Sequence, residues 1–163
     1  MNEEQQAGGD AAATSVFVSY SRADQPAAKR VIALLEQAGF TVWWDGQLEP
    51  GTQYLDTTEQ ALESAEAVVV LWTQTSTGSN WVRDEAMSGR DRQCLVPVSL
   101  DGSMAPLGFR QFQALDLSKW NGKAGDPVAQ QLVAAVAAMH GRKPVSAPAS
   151  PTLAKGAVSR RGL

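Results

Sequence analysis

The chain has 163 residues, 44% hydrophobic and 19% charged, which excludes a disordered or membrane-embedded protein and suits one globular domain with ends. A net charge of -3 gives no electrostatic footprint for nucleic acid, and one cysteine (Cys94) with one histidine (His140) excludes an internal disulfide and a Cys/His metal cluster and fits a reducing, cytoplasmic setting. The purest apolar run, Ala67 to Trp72, falls far short of the roughly 20 residues that span a bilayer, so neither a membrane nor a nucleic acid is an expected partner.

Charge is uneven along the chain. Residues 1–13 carry three acids and no apolar leader, and they read as a disordered N-terminus. Residues 141–163 mix Pro, Ala and Ser with five scattered bases and no periodicity, as a tail or linker does. The body between them, residues 14–140, holds 14 acids against 9 bases.

Thr14 to Tyr20 (TSVFVSY) is β-branched and aromatic and predicts a buried strand. Asp24 and Pro26 open a helix whose Ala28, Val31, Ile32, Leu35 and Ala38 share a face, and Gly39 closes it. Phe40 to Trp44 is a second strand, with Phe40, Val42 and Trp44 on one side and Thr41 and Trp43 on the other. DGQLEPG is loop, and a helix follows from about Gln53 to Ser64 with Leu55, Thr58 and Leu62 in register. Ala67 to Trp72 (AVVVLW) has no polar face and predicts the central strand. After the polar loop TQTSTGS, Asn80 caps a helix to about Arg92, in which Ala86 and Gly89 allow close approach to the sheet. Leu95 to Leu100 is a fourth strand, although Pro97 argues against full pairing in a sheet interior. Ala114 to Leu117 is a fifth, and Asp126-Pro127 starts a last helix with Val128, Leu132, Ala135, Val136 and Met139 in line.

Alternating strands and helices predict an α/β, flavodoxin-like fold: a five-stranded parallel sheet of order 2-1-3-4-5 with helices on both faces. Ligands bind such sheets beyond the carboxyl ends of strands 1 and 3, where the winding reverses. Two loops meet there, Tyr20 to Asp24 and Thr73 to Asn80, and the second leads into the helix bearing Trp81 and Glu85. Several chemistries known at such sites lack their residues. Strands 1 and 3 end Ser-Tyr-Ser and Leu-Trp-Thr, without the aspartates of a phosphoryl-accepting receiver. No G-x-S-x-G elbow, G-x-G-x-x-G turn or G-x-x-x-x-G-K loop occurs. Near the crevice remain Tyr20, Ser21, Arg22, Asp45 and the Trp81/Glu85 pair, which share a helix face at i, i+4. By itself Glu85 is also an ordinary acid early in a surface helix, where the dipole favours one.

The segments VFVSYSRAD, GFTVWWD with LEPG, and SNWVRDE with CLVPVSL resemble the Toll/interleukin-1 receptor (TIR) domain, particularly its bacterial branch, over residues 14–140. The resemblance implies that Glu85, in the W-x-x-x-E pattern, is the catalytic residue of members that cleave NAD+. It further implies that Trp81, Tyr20, Ser21, Arg22 and Asp45 line the substrate pocket, and that the loop with Gly46, Leu48, Pro50 and Gly51 mediates self-association with other TIR domains. NAD+ is then the substrate, with NADP+ open as a substitute, and no cofactor or metal is expected. The product is ADP-ribose if water traps the ribosyl cation and a cyclic form if the adenine does. The role implied is defence or cell-death signalling, with a fused or separate sensor domain as a further partner. The alternative within the same family is a non-catalytic module that recruits other TIR domains.

Overall fold

The structure is a computed structural model that describes residues 14–44 and 54–140. The expected disordered N-terminus (1–13), the basic tail (141–163) and the loop from Asp45 to Gln53 lie outside the described residues. In chain order come β1 (Ser15–Ser19), a 3-10 turn (Arg22–Asp24), α1 (Gln25–Gln37), β2 (Thr41–Trp43), α2 (Tyr54–Ser64), β3 (Ala67–Trp72), a second 3-10 turn (Ser76–Gly78), α3 (Asn80–Asp91), β4 (Leu95–Ser99), β5 (Leu115–Asp116) and α4 (Pro127–Ala137). The strands form one parallel sheet in the order β2-β1-β3-β4-β5, as the alternation predicts.

Two cores flank this sheet. Val16 and Val18 of β1 and Ala67, Val69 and Leu71 of β3 pack with Ala28, Val31 and Leu35 of α1 and Ala129, Leu132 and Val136 of α4. Phe17, Val68, Val70 and Trp72 point the other way, against Val82 and Ala86 of α3 and Ala61 and Leu62 of α2. The second strand divides its tryptophans as alternation requires: Trp44 packs against the first core, while Trp43 stacks on Phe17 at 4.9 Å between centroids. Every residue of β3 is buried, which makes it the central strand.

Helix boundaries follow their caps. Asp126 caps α4 by accepting from the Val128 N–H, and Gly39, at φ 100°, ends α1 in a conformation that side chains disfavour. At α3 the cap is Ser79, not Asn80. Ser79 has extended backbone, and its hydroxyl accepts from Val82 N–H at 3.2 Å, so Asn80 becomes the first helical residue.

Pro97 finds a place that the sequence alone makes awkward. β4 lies between β3 and β5, and Pro97 stands opposite Val70. Leu100 N–H donates to Trp72 O and Val68 N–H to Cys94 O, so even-numbered residues turn their amides to β3 and odd-numbered ones away from it. β5 pairs only from Val98 onward, so the missing N–H of Pro97 faces a side where β5 has not begun.

Gly89 sets the seating of α3. A Cβ placed there would sit 2.7 Å from the Cβ of Val68, whose position is fixed by the central strand. Alanine should favour the helix by about 1 kcal/mol through propensity, but overpacking of a tight core costs about 1–3 kcal/mol. We therefore expect Gly89→Ala to lower the melting temperature by several degrees, and an unchanged or higher value in a calorimetric scan would contradict the close approach.

The loop after β3 is tied to the end of β4 through Asp101, which accepts from Gln74 N–H at 3.0 Å and Ser103 N–H at 2.9 Å. Slight desolvation at this exposed position works against its ionisation, but hydrogen bonds from the Gln74 backbone and from Ser103 outweigh it and hold the pKa below the usual aspartate value. A depressed folded-state pKa means stability that is present above the unfolded value and lost as pH falls through the folded one. Asp101→Ala should thus destabilise at neutral pH by under about 1 kcal/mol, and the gap from wild type should close in acid, below about pH 4. A gap that persists or widens there, in denaturant titrations, would show that the charge is not what holds the loop.

Candidate active site

The last residue of β1 turns its side chain toward α3. Phe17 packs on the α2/α3 side, and Ser19, two residues on, follows it. On α3, Val82, Glu85, Ala86 and Gly89 recur at helical spacing and form the buried stripe. Glu85 is therefore carried under the edge of the sheet, with only 7% of its surface exposed. The Ser19 hydroxyl donates to Glu85 Oε1 at 2.6 Å, a length typical of a hydroxyl bonded to a carboxylate. A carboxylate this buried is costly unless hydrogen-bonded, and Ser19 supplies that bond at the carboxyl ends of β1 and β3.

The two loops over this edge are bonded to each other. Thr73 Oγ1 donates to Asp24 Oδ2 at 2.6 Å and accepts from Ser76 N–H at 3.0 Å. Thr73 N–H in turn donates to Ser76 Oγ at 2.7 Å, and Ser76 Oγ to Leu71 O at 2.8 Å. Both Thr73 and Ser76 are buried.

The residues predicted for the pocket do not all gather round Glu85. Tyr20, only 6% exposed, belongs to the core against α1 and α4, and its hydroxyl oxygen accepts from Gln25 Nε2 at 3.4 Å. It thus faces the opposite side of the sheet from Ser19 and Glu85. Trp44 also packs on that side, with Lys29 Nζ 6.0 Å from its ring centre. Ser21 is half-buried and accepts from Asp24 N–H through its backbone oxygen, and Arg22 is exposed on the turn that follows. Trp81 is 41% exposed, one turn before Glu85 on the neighbouring flank of α3. Asp45, Gly46, Leu48, Pro50 and Gly51 lie outside the described residues. Ser19, the side chain in contact with Glu85, was not among the predicted site residues. Its signal was parity with Phe17 at the polar carboxyl end of the strand.

Among the described residues no group of three or more His, Cys, Asp or Glu could hold a metal ion, and no helix is long and apolar enough to cross a membrane.

Residues 16–133 match the family model described as TIR domain. No curated protein matches the sequence. Among solved structures, a metazoan TIR-STING receptor from C. gigas in complex with 2',3'-cGAMP is 24% identical with a TM-score of 0.60, covering 75% of this chain and 39% of that one. The chain thus spans well under half of that receptor's length. The TIR domain of the Toll-related Receptor TRR-2 from Hydra magnipapillata is 17% identical with a TM-score of 0.57, covering 64% of this chain and 84% of that one. Both are metazoan, so the likeness to bacterial members rests on the sequence motifs alone. At these identities the structures speak for the fold, and the family model, which spans most of the described residues, shows that the chain belongs to the TIR domain family.

Proposed function

We propose that this TIR domain cleaves the bond between nicotinamide and ribose in NAD+, with NAD+ as substrate and no further cofactor, in a defence or cell-death signalling role. The observation that carries the reading is Glu85: a carboxylate buried at the switch point of the sheet, held by Ser19, with the exposed Trp81 one turn away. One carboxylate is enough for this bond. An O-glycoside needs a second carboxyl group to protonate its leaving oxygen. The nicotinamide ring is already cationic, takes the electron pair of the breaking C–N bond and leaves neutral. Glu85 offsets the positive charge developing on the ribose and accepts hydrogen bonds from its hydroxyls. Arg22 and Ser21, on the turn beyond β1, meet the pyrophosphate, and Trp81 offers a ring face for stacking. Water adding to the ribosyl cation, with loss of a proton, gives ADP-ribose; attack by the adenine gives the cyclic product. The same bond is present in NADP+.

The adaptor reading is favoured by one observation. Ser19 satisfies an oxygen of Glu85 within the protein, as it would for a structural carboxylate. Nicotinamide release by concentrated protein separates the two. Glu85→Gln keeps the shape and an acceptor for Ser19 but removes the charge, and it should lower the rate at least about a hundredfold while staying folded. A mutant as fast as wild type, or a wild type that releases nothing in its associated form, would leave the adaptor reading.

TIR domains generally interact with other TIR domains. We assign this role here to the loop with Gly46, Leu48, Pro50 and Gly51, in which an apolar Leu48 lies among turn-forming residues. A neighbouring copy would then complete the pocket over Glu85 and exclude water from it. Specific activity should rise with protein concentration, and Leu48→Glu should suppress both activity and association without changing the circular dichroism spectrum. Constant specific activity from nanomolar to high micromolar protein, or a fully active monomeric Leu48→Glu variant, would remove the loop from the mechanism.

A further inference from the structure

The hydrogen bond from Thr73 to Asp24 joins residues 49 apart in sequence and spans the point where the ligand crevice of this fold lies. Its position relative to the sheet is set by both ends. Asp24 occupies the N-cap position of α1 without spending its side chain on a cap bond. Thr73 follows directly on β3, two residues beyond Leu71, which packs toward α1. The bond therefore lies on the α1 side of the sheet edge, whereas Ser19 and Glu85 lie on the α3 side.

Neither end is loose. Thr73 is buried, and its hydroxyl is held as acceptor by Ser76 N–H, which leaves its proton for Asp24. Ser76 is fully buried and reaches back to Leu71 O, so the loop is anchored to the central strand itself. On the other side, Asp24 N–H donates to Ser21 O at 2.8 Å and closes the turn that carries Ser21 and Arg22. A chain of bonds thus runs from β3 through Ser76, Thr73 and Asp24 to that turn.

We propose that Asp24 and Thr73 are positioning residues of the site: their bond closes the crevice on the α1 side and holds the Ser21–Arg22 turn at a fixed distance from Glu85, leaving substrate to enter from the α3 side. This rests on the reading of Glu85 as the residue that acts on NAD+. Because Ser19 holds Glu85 independently, loss of the clamp displaces the binding turn and leaves the carboxylate in place. The kinetic signature is a raised KM. Mere loss of folded protein would instead lower the apparent kcat at constant KM.

The test compares Thr73→Val and Asp24→Ala with the conservative Thr73→Ser and Asp24→Asn, each of which keeps a donor or an acceptor oxygen for the bond. Nicotinamide release is measured over a range of NAD+ concentrations, and amide hydrogen exchange is followed at residues 21–25 and 73–79. The clamp predicts that Thr73→Val and Asp24→Ala raise KM about tenfold or more with kcat less affected. It predicts that the double variant is no worse than either single one, that both segments lose protection together, and that Thr73→Ser restores KM. Unchanged KM in both disruptive variants, additive effects, or exchange confined to the mutated segment would overturn it while the catalytic reading stands. A wild type that releases no nicotinamide would overturn that reading, and the clamp's role with it.

Discussion

The contact between Gly89 and Val68 governs the geometry of the site. Helix and strand backbones approach there as closely as any side chain would forbid, because the helix contributes none. With Ala86 one turn earlier and Val82 beyond it, α3 packs on β3 along its buried stripe. Glu85 sits in that stripe. Its hydrogen bond to Ser19 reaches from that stripe to the end of β1, so a small residue four positions away helps to set the place of a carboxylate.

Buried polar side chains are not scattered through the molecule. Ser19 ends β1, Ser99 ends β4, and Thr73 and Ser76 follow β3, so the carboxyl edge of the sheet carries most of the buried polar groups among the described residues. Each has a partner: Ser19 bonds Glu85, Thr73 bonds Asp24, Ser76 bonds Leu71 O and Ser99 bonds Ser103 O. Paired groups of this kind are held to one arrangement, since an unmade bond in a dry interior is expensive. The strand interiors are apolar and confer stability, whereas their carboxyl ends are polar and ordered, as a site that must present dipoles without reorganising requires.

The architecture was legible because hydrophobic periodicity reports it directly. AVVVLW has no polar face and became the central strand, and the alternation in FTVWW divided Trp43 from Trp44 as the structure does. Ala86 and Gly89 forecast close packing of α3. The site was legible only in part. Glu85 was located by its helix and by the fold's switch point, but its partner depended on where β1 ends. Reading the ligand-facing stretch from Tyr20 onward passed over Ser19, and because strand side chains alternate, a shift of one residue exchanged the side facing α3 for the side facing α1. The cap at Ser79 was missed for a related reason: Ser and Asn both cap well, and backbone conformation decided between them. The bond between Asp24 and Thr73 links distant loops, and no local pattern announces such a contact.

Pro97 has a consequence for how these domains can assemble. On its outer side β4 has no strand partner until Val98, although all its residues are buried, and an unpaired strand edge is a template on which a neighbouring chain can add a strand of its own. Proline denies that template its donor at the middle of the unpaired stretch. The opposite edge, β2, is only three residues long. Edges this short or this poor in donors give a neighbouring chain little to extend, so a continuous β-structure built from several copies is disfavoured by the sheet itself.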